Sequence, residues 1–129
     1  MEEQKDFEEI SVAICDDSAL MRNLVSRIVS ENPNFKIVCK AVNGKMLLYT
    51  LPSCQPDVIV LDIEMPVMTG VEFLKNRKAQ KIDVPVIILS SIATEGAAVT
   101  IQCLELGASD FITKPGGAAS PEVVNVGDE

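Results

Sequence analysis

Residues Pro56 to Gly70 read PDVIVLDIEMPVMTG. Val58-Ile59-Val60-Leu61 is a short unbroken apolar run, rich in β-branched side chains, that leads directly into Asp62. The chain then breaks at Met65-Pro66. Such a run suits a strand buried on both faces, which implies a parallel sheet covered by helices. A carboxylate at the end of that strand stands at the carboxyl edge of the sheet, where open α/β folds hold their ligands. Taken alone, Asp62 is equally well an ordinary loop carboxylate closing a core strand.

Working outward, the same alternation recurs. Ile10 to Cys15 reads as a first strand ending in Asp16-Asp17-Ser18. From Leu20 the apolar positions 20, 21, 24, 25, 28 and 29 form a helical stripe, with Ser18 as N-cap and Asn32-Pro33-Asn34 as the stop. Phe35 to Ala41 is a second strand. Asn43-Gly44 turns into a short helix carrying Met46, Leu47 and Leu51, and Pro52 to Pro56 reads as a loop. Beyond Pro66, Thr69 caps a helix with Val71 and Leu74 inward and a solvated basic end, Lys75, Arg77 and Lys78. Val84 to Leu89 is a fourth buried strand ending in Ser90-Ser91. Ala97 to Leu106 is a helix with Ala97, Ile101 and Leu104 inward, stopped by Gly107. Ser109 to Thr113 is a fifth strand, followed by Lys114-Pro115.

A βαβαβαβαβ order with short connections and right-handed crossovers predicts an α/β fold, a doubly wound five-stranded parallel sheet. Ser120-Pro121-Glu122 starts a further helix. Residues 1–9 then form an acidic leader, 10–115 the domain, and 116–129 the start of a final helix or linker, cut short.

At 129 residues and 47% apolar content the chain is one domain with a sizeable core. No apolar run approaches the ~18 residues of a membrane span, and the acidic amino terminus is unlike a signal peptide, so a soluble cytoplasmic protein is expected. Nineteen acidic against eleven basic residues, a net charge of −8, argue against nucleic acid as a direct partner and suit a divalent cation. Cys15, Cys39, Cys54 and Cys103 are spread out with no CxxC pair, which reads as four reduced structural thiols; an exposed, reactive Cys54 is the alternative. The sequence has no His, so no Ser-His-Asp triad, Cys-His pair or His-ligated zinc exists within it.

The strand ends carry Asp16 and Asp17, Asp62, Ser90 and Lys114. In a doubly wound sheet all of them face one crevice. Three carboxylates together repel and hold their protons unless a cation joins them. Oxygen ligands with room for water and phosphate suit Mg²⁺, with Asp17 and Asp62 as direct ligands and Asp16 binding directly or through water. Lys114 and Ser90 supply the positive charge and hydroxyl that a phosphoryl group's outer oxygens require. A carboxylate so placed can attack phosphorus and form an acyl phosphate. Each residue alone has a plain explanation as a helix cap, strand-end hydroxyl or surface charge; four strand ends together do not.

D-D-S at the first strand end, D-x-x-M-P-x-M-x-G after the third, a hydroxyl after the fourth and K-P after the fifth resemble the receiver domain of bacterial response regulators, over about Ile10 to Pro115. The resemblance implies the flavodoxin-like strand order 2-1-3-4-5. It implies that Asp62 takes a phosphoryl group from a sensor histidine kinase, and that Asp17, Asp62 and the main-chain carbonyl of Glu64 hold Mg²⁺ with Asp16. Lys114 would stabilise the phosphoryl group and Ser90 would swing to hydrogen-bond it. Phe111 occupies the place of the switch aromatic that turns inward with Ser90; a plain core aromatic is the other reading. Lys114-Pro115 would be a cis peptide. Thr69 stands where many members have Asp, and Glu64 and Ile92 occupy positions that tune the phosphoryl lifetime, which they leave open.

The segment ILSSIATEGAAVTIQCLELGASDFITKPGG is similar to the regulatory domain of chemotaxis protein-glutamate methylesterases, which precedes and masks a C-terminal hydrolase domain. Without His, this chain would be the regulator without the enzyme. The alternatives are a stand-alone or other-output response regulator, a Mg²⁺-dependent aspartyl-nucleophile phosphatase of the haloacid-dehalogenase type, and a non-phosphorylated interaction module. The phosphatase normally needs a second Asp two residues after its nucleophile, where this chain has Glu64.

Overall fold

The computed structural model describes residues 9–90 and 94–114. The expectations for residues 1–8, Ser91, Ile92, the Lys114-Pro115 peptide and residues 116–129 lie outside them. The elements run β1 (Ile10–Cys15), α1 (Ala19–Ser30), β2 (Phe35–Ala41), α2 (Gly44–Cys54), β3 (Val58–Asp62), α3 (Gly70–Ala79), β4 (Val86–Ser90), α4 (Thr94–Glu105) and β5 (Asp110–Thr113). The sheet is parallel throughout in the order β2-β1-β3-β4-β5, which agrees with the expected topology. Because β1 and β3 are neighbours, Asp16 and Asp62 leave adjacent strands at the same edge.

Side chains alternate across β3, so its two faces feed two cores. Ile59 and Leu61 join Leu47, Phe73, Leu74, Val86, Ile88 and Cys103 beneath α2, α3 and α4. Val60 joins Val12, Ile14, Val25 and Leu89 beneath α1. Three helices start on side-chain caps. The Ser18 hydroxyl accepts from Met21 N–H, Asn43 Oδ1 accepts from Met46 N–H, and Thr69 and Glu72 form a reciprocal capping box. Gly107, with φ 108°, ends the turn after α4.

The helices differ from the sequence reading in detail. α2 runs through Pro52 to Cys54 instead of stopping before it. A proline this close to a helix end removes only one backbone bond, and the burial of Leu47 and Leu51 on one face offsets that loss. Gln55 then closes the helix in the left-handed region, donating to the Leu51 carbonyl. On α1 the buried stripe is narrower than the apolar one: Leu20 is 80% exposed, while Ser26 is buried beside Val25.

α4 turns Thr100 and Cys103 inward and leaves Ala97 exposed and Ile101 57% exposed. Apolar residues cover most of the circumference and so mark the buried face poorly; Gln102 and Glu105, which share the face opposite Thr100 and Cys103, mark it better. Arg77 is not simply solvated: its Nε donates to the Val84 carbonyl at 3.0 Å, tying α3 to the segment just before β4.

Candidate functional site

The carboxyl edge of the sheet brings Asp16, Asp17 and Asp62 together, with one oxygen from each lying within 4.8 Å of the others. Asp16 is 0% exposed and Asp62 1%, while Asp17 is open to solvent. Local bonds set Asp16 in place. Its main-chain N–H donates to the Ala41 carbonyl at 3.0 Å, its Oδ1 accepts from Ser18 N–H at 2.9 Å, and its carbonyl accepts from Arg22 Nη1 at 2.8 Å. Asp62 Oδ1 forms an ion pair with Lys114 Nζ at 2.8 Å. It also accepts a longer bond, 3.4 Å, from the Glu64 main-chain N–H.

Asp16 Oδ2 and Asp62 Oδ2 are buried without a protein partner. Two orphaned buried carboxylate oxygens beside a third, accessible carboxylate form a hard oxygen donor set, and this fits Mg²⁺. Burial raises the Asp62 carboxyl to about 6, assisted by Asp16 and opposed by Lys114. Burial likewise raises Asp16. Burial disfavours the Lys114 charge, but the carboxylates of Asp62, Asp16 and Glu64 outweigh it and raise its pKa.

The loop after Asp62 is held tightly. Gly70 N–H donates to the Ile63 carbonyl at 2.7 Å, and a Cβ on Gly70 would meet Ile63 Cα at 2.8 Å and the Asp62 carbonyl oxygen at 2.9 Å. Only glycine permits this approach. Val67 adopts φ 70°, with Met68 N–H donating to the Pro66 carbonyl at 2.6 Å, a strained three-residue turn. Beneath it, the Cys15 thiol donates to Met65 Sδ at 3.4 Å. Burial pushes the Cys15 thiol well above its ordinary range, so it packs as a neutral group. The other cysteines are also free; Cys54 is half-buried, with its thiol raised first by burial, which does not match the exposed, reactive reading.

Ser90 is engaged with α4. Its hydroxyl lies 2.7 Å from Thr100 Oγ1, and both residues are buried. Ser90 and Asp62 share the lining of a cavity of about 10 Å³ with Ile63, Glu64, Leu89, Val99 and Lys114. Outside it, an open groove of about 580 Å³ runs from Asp17 past Met65 and Pro66 to Val99 and Gln102. Phe111 is 44% exposed, so the plain core-aromatic reading fails: β5 shows every described side chain to solvent, and Phe111 points outward from it. Glu64 is exposed and lines the groove.

Sequence reading missed Arg22 and Thr100. A cation this close to a helix N-terminus opposes the dipole, which was a signal that Arg22 has a local partner. Thr100 carried no such signal.

A model of the response regulator receiver domain matches residues 12–121. The protein-glutamate methylesterase/protein-glutamine glutaminase of Treponema denticola is 58% identical over 95% of this chain. The chain spans about a third of that relative's length. The crystal structure of the response regulator domain of Thermotoga maritima CheB superposes with a TM-score of 0.79 at 41% identity, covering 94% of this chain and 90% of that one. The CheX-CheY-BeF3-Mg²⁺ complex of Borrelia burgdorferi contains a chain that superposes with a TM-score of 0.76 at 27% identity, covering 95% and 89%.

Proposed function

The chain belongs to the response regulator receiver domain family, most like the regulatory domain of chemotaxis protein-glutamate methylesterases, and from that premise we propose that Asp62 is its phosphoryl acceptor. The donor is the phosphohistidine of a sensor histidine kinase. Asp62 attacks phosphorus, a P–O bond forms as the P–N bond breaks, and the histidine nitrogen leaves with the electron pair. The ion pair at the buried acid cluster carries this reading, because Lys114 follows directly on β5 and its ammonium reaches the Asp62 carboxylate at the end of β3. Held there, its ammonium neutralises the charge that gathers on the phosphoryl oxygens. With a pKa of about 6, Asp62 is still mainly ionised at neutral pH, as a nucleophile must be.

Asp17, Asp62 and the Glu64 main-chain carbonyl would hold Mg²⁺, with Asp16 directly or through water. When bound, that ion offsets the mutual repulsion of the carboxylates and the charge of the transferred group. Ser90 then turns to donate to a phosphoryl oxygen, and Phe111 moves inward from its exposed position. The neighbouring complex solved with beryllofluoride and Mg²⁺ supports this chemistry by analogy.

Residues 10–115 form the phosphorylated unit, preceded by the acidic leader, and 116–129 lead toward a methylesterase domain beyond this chain. The relatives' greater length supports that output, with this chain as the cytoplasmic regulator. No helix among the described residues is long and apolar enough to cross a membrane. The chain catalyses only its own phosphoryl transfer and dephosphorylation. Incubation with acetyl phosphate and Mg²⁺ should add one phosphoryl group by intact mass, and Asp62→Asn should abolish the gain. Equal gain in the Asn variant overturns the assignment.

A further inference from the structure

Ser90 ends β4 beside the acceptor, yet its hydroxyl is engaged with Thr100 on α4 at 2.7 Å. Both residues are buried, so the energy of this contact is little screened by water. The preceding residue of α4, Val99, lines the cavity beside Asp62 together with Ser90 and Lys114. At about 10 Å³ that cavity has room for about one water. A phosphoryl group, with three outer oxygens, needs more. A single stretch of helix, Val99-Thr100, thus both narrows the acceptor's cavity and engages the hydroxyl that a phosphoryl oxygen needs.

We propose that Thr100 is a positioning residue for phosphorylation: its hydroxyl latches Ser90 to α4 in the resting protein, and uptake of a phosphoryl group at Asp62 exchanges the Ser90–Thr100 bond for a bond from Ser90 to a phosphoryl oxygen. The inference rests on the reading of Asp62 as acceptor. It adds that α4 and the phosphoryl group compete for one hydroxyl. Removing the Thr100 oxygen removes this bond from the resting state and so shifts the balance toward the modified state.

The test measures beryllofluoride binding in the presence of Mg²⁺ by calorimetry on the whole chain, with the fold of each variant checked by circular dichroism. Thr100→Val should bind about fivefold more tightly than wild type, the factor matching a net hydrogen bond of about 1 kcal/mol. Thr100→Ser restores the hydroxyl and should return to the wild-type affinity. In a Ser90→Ala background, Thr100→Val should leave the affinity unchanged, since the competing hydroxyl is gone. Should the Val variant fail to fold, Thr100→Ala takes its place with the same expectation. Unchanged or weaker binding by the hydroxyl-free variant, or the same gain without Ser90, overturns the latch. Wild type that binds while Asp62→Asn does not, together with no effect at Thr100, brings down the latch alone. Wild type that binds no beryllofluoride, or Asp62→Asn that binds equally, overturns the acceptor assignment and the latch with it.

Discussion

Asp62→Asn should stabilise the metal-free protein, although it removes the partner of Lys114. The Asp62 carboxyl moves from 3.8 to about 6 on folding, chiefly through burial, and that value already includes the attraction of Lys114. Between those two values the unfolded chain has released this proton while the folded chain retains it. The folded state therefore binds more protons, and stability falls as pH rises through the interval, with the loss complete above about 6. The corresponding cost is about 1.5 kcal/mol near pH 5 and about 3 kcal/mol near pH 7. An Asn side chain keeps the shape without the charge, so the variant should gain that amount. In urea the midpoint should rise by about 1.5 M near pH 7 and by about half as much near pH 5, for a slope of about 2 kcal/mol/M. Saturating Mg²⁺ should raise wild type more than the variant and narrow the gap. A variant no more stable than wild type near pH 7, or a gap that does not change with pH, would refute the burial argument.

Other substitutions probe the scaffold around the site. Gly70→Ala should destabilise by about 1–3 kcal/mol in urea melts and weaken Mg²⁺ binding, because its Cβ would press on the backbone of Asp62 and Ile63. Thr69→Ala removes one half of the α3 capping box and should cost about 1 kcal/mol in the same assay. Leu47→Ala empties a fully buried site where α2 meets the sheet and should cost about 2–5 kcal/mol. Titration with a thiol reagent in native buffer should label Cys39 and Cys54 before the buried Cys15 and Cys103, and denaturant should make all four equal.

Much of this was legible along the chain. Val58 to Leu61 and Val86 to Leu89 are apolar without a break because each strand is covered on both faces. From those strands follow the parallel sheet and the placement of Asp16, Asp17, Asp62, Ser90 and Lys114 at one edge. The starts of α1, α2 and α3 were equally readable, since Ser18, Asn43 and Thr69 cap through bonds to residues only three positions away, whereas α4 begins at Thr94, three residues before the expected Ala97.

Helix faces and polar partners were not legible in this way. Leu20 and Ile101 count as apolar in any periodicity, yet both are largely exposed, because which side of a helix is buried depends on where the crossover sets it on the sheet. The pairings of Lys114 with Asp62, Arg22 with the Asp16 carbonyl and Thr100 with Ser90 depend on where those elements come to rest. Residue order determined which side chains reach the carboxyl edge, because strand burial and alternation are local properties of the chain. Tertiary structure alone decided which of them bond, since hydrogen bonds and ion pairs act over a few ångströms and those distances exist only once the helices have docked.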